Sequence, residues 1–349
     1  MKKLGGSTLF GLIHNYLKVY LPSQRKLSHN TIRSYREALE LLVDFVKMQK
    51  SVPLQDVTFE MLTGEMIAAY LDYLENERGC GIVTRNNRLA AVRAFFAYAA
   101  DRDVTTAFVL GDMKNIPIKK PDKAVAIEHM SMAAVTAIVE QTNADIPKGF
   151  RDRVFIILMY DTGARIGEMI DIKICDLRFG KTPVITLRGK GRKIRSVPLM
   201  EKTVQHLQKY LSIFHENEPL CSQSPLFYSE IRGQRSPLSD RRIRYLLKDH
   251  GVKAHKCCPE VPENVHPHLF RHSRAMHLYQ QGMDLTLVSQ WLGHANIETT
   301  QVYAHADTEH KRRAIAAATT AENTLHAELS MERFTVSDED TLKRLTGLR

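Results

Sequence analysis

Apolar residues in the N-terminal third of the chain recur at helical spacing. Leu9, Leu12, Ile13, Tyr16, Leu17 and Tyr20 follow one another every three or four residues, which places them on one face of a helix. A second stripe, Ile32, Tyr35, Leu39, Leu42 and Phe45, follows Ser28 and Asn30. Either can cap a helix start, because a short side-chain oxygen accepts from an unpaired first-turn N–H. The pattern predicts a third helix over Thr63 to Glu77. It predicts a fourth over 84–100 that sets Leu89, Val92, Phe96 and Tyr98 against Arg85, Arg88 and Arg93. The result is a compact four-helix unit with basic edges, spanning 1–110.

Residues 111–127, GDMKNIPIKKPDKAVAI, hold two prolines and four lysines with little apolar periodicity, and they are expected to form a basic interdomain linker. A second domain is expected over 128–325, opening with a helix from about Ser131 and a buried apolar helix around RVFIILMYDTGA. Val184 to Leu187 and Ile194 to Val197 flank Gly189-Lys190-Gly191, a hairpin signal. Helices are predicted again over Glu201 to Phe214, Leu238 to Lys248, Arg271 to Gln281 and Leu285 to Leu292, with Gly282 and Gly293 as left-handed terminators. The fold class is therefore mainly α with a small β-hairpin element, followed by a tail over 326–349.

The formal net charge is +10, which fits a partner with a negative surface, although charge alone does not separate DNA from RNA or anionic lipid. Residues 1–120 carry 17 Lys and Arg against 12 Asp and Glu, so half of the excess lies in about a third of the chain. No apolar run approaches the roughly 18 residues of a membrane span, and MKKLGGSTLF lacks the apolar core of a signal peptide. The five cysteines show no regular spacing, which suits a reducing cytosol. His255, Cys257, Cys258 and His266 lack the CxxC spacing of zinc sites, so no metal is expected and the stretch is taken as a polar loop before a helix.

The chemistry concentrates between His268 and Tyr303, with Arg165 upstream in TGARIGE. Two guanidiniums, Arg165 and Arg271, can hold the non-bridging oxygens of a phosphodiester, because a planar fork donates to two oxygens and stays charged. His268, three residues before Arg271, can accept or orient a proton near neutral pH. Tyr303, nine residues after His294, is the candidate nucleophile, and its phenol needs a positive field or a base to attack phosphorus. Lys190, flanked by glycines at the hairpin tip, can reach a groove and protonate a leaving 5′ oxygen. No GxxxxGK followed by Ser or Thr is present, and the reaction retains its phosphodiester energy in the enzyme linkage, so no cofactor is expected. Arg33, Arg36, Arg85, Arg88, Arg93, Lys119 and Lys120 are the candidate DNA contacts. Each alone suits a solvated face equally well.

TGARIGE, GKGRKIRSVPL, HPHLFRH, WLGHANIETTQVYAH and LSHNTIRSYREAL together resemble the tyrosine recombinase (integrase) family of the phage integrase and Xer type, over about residues 7–325. The resemblance implies a SAM-like core-binding domain and a mixed α/β catalytic domain that close as a clamp on double-stranded recombination sites. It also implies a homodimer on each site and a homotetramer at synapsis, with a tail that docks on a neighbouring protomer or closes its own domain. It makes Arg165 and Arg271 the phosphate clamp, Lys190 the general acid, His268 and His294 supporting contacts, and Tyr303 the nucleophile, and leaves His272 structural. Glu168 and Asp171 either orient Arg165 or pair with nearby charges. Gly167 stands where many relatives have Ser, and Ala304 where Thr is frequent.

The expected function is site-specific recombination through a 3′-phosphotyrosyl bond and a Holliday junction, serving integration, excision or transposition of a mobile element. An accessory DNA-bending or directionality protein and a cytoplasmic, nucleoid-associated location go with it. The alternatives are a type IB topoisomerase and a catalytically inactive DNA-binding regulator.

Overall fold

A computed structural model describes residues 8–102, 106–120, 128–189, 193–294, 296–306, 312 and 338–347. The chain divides into two compact units, Met1–Val125 and Ala126–Arg349.

In the first unit, α1 (Thr8–Asn15) continues into a wider π-helical segment, Tyr16–Gln24, which contains Pro22, a residue without an N–H for the ladder. α2 (His29–Lys50) starts where Ser28 Oγ accepts from the Thr31 N–H at 3.2 Å. α3 (Gly64–Asn76) starts the same way at Thr63. α4 (Ile82–Ala100) completes the four expected helices. Their apolar stripes meet in an aromatic core in which Tyr16 packs on Phe95 and Tyr98 with ring centroids 5.4 and 4.9 Å apart. Such pairs add about 0.5–1.5 kcal/mol each beyond the area they bury.

The expected linker differs. A fifth helix, α5 (Ala107–Lys114), runs into it and buries Met113 in the core of the four helices. Arg93 donates to the carbonyls of Met113 and Ile116 at 2.7 and 2.6 Å, and Asn86 holds Lys119 through its carbonyl at 2.7 Å. Residues up to Lys119 are thus attached to the first unit, while 121–127 lie outside the described residues.

In the second unit, α6 (Met132–Glu140) precedes α7 (Pro147–Thr162), which is buried on nearly every side because Val154, Phe155, Ile156, Leu158 and Met159 leave it no polar face. A short α8 (Ile166–Ile170) leads to the sheet β1 (Leu177–Arg178), β2 (Val184–Arg188) and β3 (Ile194–Pro198), antiparallel throughout. The register pairs Ile185 with Val197 and Leu187 with Arg195, so Arg195 shares the inward face of β3 with Val197.

α9 (Glu201–Phe214) packs on α7. The hairpin β4 (Tyr228–Ile231) and β5 (Gln234–Pro237) turns at Arg232 and Gly233, both with positive φ. α10 (Asp240–Cys257) replaces the expected loop at His255 and Cys257, and His255 Nδ1 lies 2.5 Å from the Val261 carbonyl. α11 (Pro267–Gln280), α12 (Leu285–Leu292) and α13 (Glu298–Ala306) follow, and α11 contacts both α7 and α13. Of the tail, α14 (Glu339–Thr346) is described. The fold is the expected one, mainly helical with small antiparallel sheets. Among the described residues, no helix is long and apolar enough to cross a membrane.

Candidate active site

Arg271 projects from α11 into the protein and is 4% exposed. Its two terminal nitrogens donate to the carbonyls of Gly163 and Leu292, each at 2.7 Å. These carbonyls close α7 and α12, where the helix dipoles gather negative charge, so a cation is favoured there. Gly163 takes φ +58°, and a Cβ on it would come within 2.8 Å of Leu292, so the junction needs glycine. Burial, then the neighbouring Arg165 and Arg195, pull the Arg271 guanidinium down to about 9, which leaves it cationic at neutral pH.

Arg165 caps α8 in extended conformation and stays 38% exposed. Its backbone N–H donates to Glu168 Oε2 at 2.8 Å and its Nη1 to Oε1 at 3.1 Å. Burial alone would raise the Glu168 carboxyl. Hydrogen bonds from the Arg195 side chain and the Arg165 backbone, with both positive charges, outweigh it and hold the group down to about 2. Glu168 thus contacts Arg165 through both its backbone and its side chain and also pairs with Arg195. Arg165, Glu168, Arg195, His294 and both ends of the β2–β3 turn, Gly189 and Lys193, line one cleft of about 520 Å³. Lys190 itself lies outside the described residues.

On α11, His268 and His272 stand one turn apart with rings 6.4 Å apart. His268 is exposed, and its pKa is lowered by partial burial of the ring together with the charges of His266, Arg271, Arg244 and Arg165. His266 caps the helix, with Nδ1 accepting from the Leu269 N–H. Tyr303, on α13, is 1% exposed among Ala275, Met276, Leu278, Val288 and Leu292, and its hydroxyl lies 2.9 Å from His272 Nδ1. Burial raises the phenol, and Arg271 and Arg165 oppose it. Burial, then His268 and Arg271, bring His272 down to about 4. A neutral imidazole can accept from the phenol at this nitrogen when Nε2 carries the proton. The structural role expected of His272 thus becomes a contact with the candidate nucleophile. His294 is likewise brought down to about 4, by burial and then Arg271 and Arg165, and its Nδ1 lies 2.7 Å from the Thr300 hydroxyl.

The candidate DNA contacts divide. Arg33 and Arg36 on α2 are exposed, as is Lys120. Lys119 is exposed beside Glu75 at 2.8 Å, and Arg88 reaches the Ser34 carbonyl at 3.0 Å and Glu37 at 3.4 Å. Arg85, 3% exposed, points inward to the Pro117 carbonyl and Glu75, and Arg93 binds carbonyls of the α5 region. These two brace the first unit instead of offering charge at its surface. Sequence reasoning missed Arg195, whose signal was an arginine on the inward phase of a strand, and Arg244, which lies near enough to His268 to depress it.

A helical unit followed by a helix-rich unit, with paired arginines, a histidine cluster and a tyrosine on a late helix, defines a class of strand-transfer enzyme, and the comparisons with known proteins identify it. The model of the phage integrase family matches residues 128–310, and that of the phage integrase N-terminal SAM-like domain matches 13–103. The chain is 31% identical over 311 residues to the Sinorhizobium fredii protein y4rC, covering 89% of this chain and 91% of that one. It is 29% identical over 307 residues to the tyrosine recombinase XerD of Staphylococcus saprophyticus, covering 86% and 96%. Among solved structures, the XerH recombinase bound to difH has a TM-score of 0.63 at 24% identity, covering 86% of this chain and 82% of that one. The Tn1549 transposon integrase, in complex with transposon right end DNA, has a TM-score of 0.62 at 20% identity, covering 86% and 98%. The chain belongs to the phage integrase family and is a tyrosine site-specific recombinase.

Proposed function

We propose that this recombinase binds double-stranded recombination sites and exchanges their strands through a 3′-phosphotyrosyl intermediate. The observation that carries this reading is the Tyr303 hydroxyl, held by His272 on the helix that also presents His268 and Arg271. In the reaction, Tyr303 Oη bonds to phosphorus, the bond from phosphorus to O5′ breaks, and the phenol proton passes to His272 Nδ1. Arg165 and Arg271 hold the non-bridging oxygens, where charge grows in the transition state and preorganised cations act most strongly. His268 and His294 donate to the phosphate, and Lys190 gives O5′ its proton. A 5′ hydroxyl from the partner duplex reverses the step, and two successive exchanges through a Holliday junction complete recombination.

Arg33, Arg36, Arg88, Lys119 and Lys120 would hold the DNA backbone from the first unit, with two protomers on a site and four at synapsis. α14 carries exposed Leu342 and Leu345 on one side, suited to docking on a neighbouring protomer. Deleting residues from Met331 onward should then weaken tetramer assembly and spare DNA binding, as native gels on paired sites would report. The presence of a transposon integrase among the structural neighbours supports action on a mobile element.

The direct test is a denaturing gel for covalent adducts. Nicked duplexes from the ends of the element that encodes the protein are incubated with wild type and Tyr303→Phe. An adduct with wild type alone is expected, and an adduct that persists in the variant would remove Tyr303 from its role.

A further inference from the structure

Glu168 accepts from more than the clamp. Its carboxylate, 3% exposed, receives Arg195 Nη1 on Oε1 at 2.9 Å and Arg195 Nη2 on Oε2 at 2.8 Å, while the third guanidinium nitrogen, Nε, donates to the Trp291 carbonyl at 2.9 Å. One guanidinium therefore joins three stretches of chain: the α8 start that bears Arg165, strand β3, and the end of α12 two residues before the turn to His294. The fit is close on both sides. A Cβ on Gly293 would stand 3.0 Å from Arg195 Cδ and Nη1, and one on Gly189 would stand 3.0 Å from Glu168 Oε1.

This arrangement matters because a buried carboxylate must be paired. With Arg195 in place, both oxygens of Glu168 are neutralised by one bidentate fork, and Arg165 needs to give Glu168 only one side-chain hydrogen bond. Without it, the cation nearest Glu168 is Arg165. A bidentate pair between the two would then be favoured strongly in so dry a place, which would draw the Arg165 guanidinium inward from the cleft it lines.

We propose that Arg195 is a positioning residue for strand cleavage: by occupying both oxygens of Glu168 and anchoring on Trp291, it keeps the Arg165 guanidinium turned to the scissile phosphate and fixes the turn that carries His294. The proposal rests on the reading of Arg165 as a phosphate clamp. A lysine at this position supplies a charge but one point of donation, so it can neutralise Glu168 without spanning both oxygens and the Trp291 carbonyl.

The test uses the full chain and nicked duplexes that trap the covalent adduct, with either a phosphodiester or an uncharged methylphosphonate at the scissile position. Adduct formation is timed in single turnover at saturating protein for wild type, Arg195→Gln, Arg195→Lys and Arg165→Gln, beside DNA affinity and thermal melting. On the phosphodiester, Arg195→Gln should slow cleavage by about tenfold or more, with Arg195→Lys between it and wild type and DNA affinity changed by less than about threefold. On the methylphosphonate, where no anionic oxygens await the clamp, the gap between wild type and both Gln variants should narrow together.

Cleavage by Arg195→Gln at the wild-type rate overturns the proposal. So does a loss of equal size on both substrates, which would mark Arg195 as scaffold only. If Arg195→Gln does not fold, either of these outcomes in Arg195→Lys overturns the proposal in its place. A narrowed gap for Arg165→Gln without one for Arg195→Gln overturns the proposal and leaves the clamp reading standing. If the methylphosphonate leaves the Arg165→Gln gap unchanged, the clamp reading itself falls and takes the proposal with it.

Discussion

The two units use buried and half-buried arginines in opposite ways. In the first, Arg85 donates to the Pro117 carbonyl and Arg93 to those of Met113 and Ile116, and the two tie the α5 region to the helices. In the second, Arg271 also binds two carbonyls, but those close α7 and α12, and the arginine sits among Arg165, Arg195 and Glu168. Burial of an arginine therefore does not announce its purpose. What separates the two cases is the company of other cations: Arg85 stands beside the Glu75 carboxylate, whereas Arg165 and Arg195 share the single carboxylate of Glu168 with Arg271 close by, which leaves excess positive charge for an anion.

Breaking the second case should have the largest effect. Arg271→Ala is expected to lower single-turnover adduct formation by about a hundred- to a thousand-fold. It should also destabilise the protein by ~1–3 kcal/mol by stranding the Gly163 and Leu292 carbonyls, as urea melts would measure. In the first unit, Arg93→Ala should cost a similar ~1–3 kcal/mol for its lost hydrogen bonds, while the cleavage rate of saturated complexes stays at the wild-type value. A cleavage defect in Arg93→Ala beyond its loss of stability would erase the distinction.

A third measurement sharpens it by pH. His272 and His294 are brought to about 4 in the folded protein against an ordinary 6.5. Between those values the unfolded chain binds more protons than the folded one, so stability should fall as pH drops from 6.5 towards 4. His272→Gln and His294→Gln should flatten that slope in urea melts at pH 7 and pH 5, and Arg93→Ala should leave it unchanged. Glu168, held to about 2, adds a loss only below about 4.5. The smallest effect is expected at the surface: Arg33→Ala and Arg36→Ala should each weaken DNA binding and reduce the steepness of its dependence on log salt by about one, with cleavage of bound DNA unaltered.

Much of the fold is legible in the order of residues. Ser28 and Thr63 cap helices as their side chains dictate, α9 and α12 occupy the expected residues, and the alternation of Val184 to Leu187 forms β2. Arg165, Arg271, His268, His294 and Tyr303 stand out by type and spacing. What escapes has no local signature. α5 is short, contains Gly111 and precedes Pro117, and it is helical because Met113 finds a core to enter. β5 is exposed along its length, so no alternation marks it. The contact between His272 and Tyr303 depends on how α13 meets α11, which spacing within either helix does not encode. The inward turn of Arg85 has the same cause, since a helical wheel gives a side chain its direction but not the acceptor waiting there.

The burial of Tyr303 bears on the nucleophilic role proposed for it. A reactive phenol on open display would make each chance encounter an opportunity for a broken strand. With the nucleophilic role proposed for Tyr303, its cover of Leu278, Val288 and Leu292 and its tether to His272 would make touching DNA and cutting it separate events. A protein in that state would then search DNA with no more hazard to it than a repressor poses.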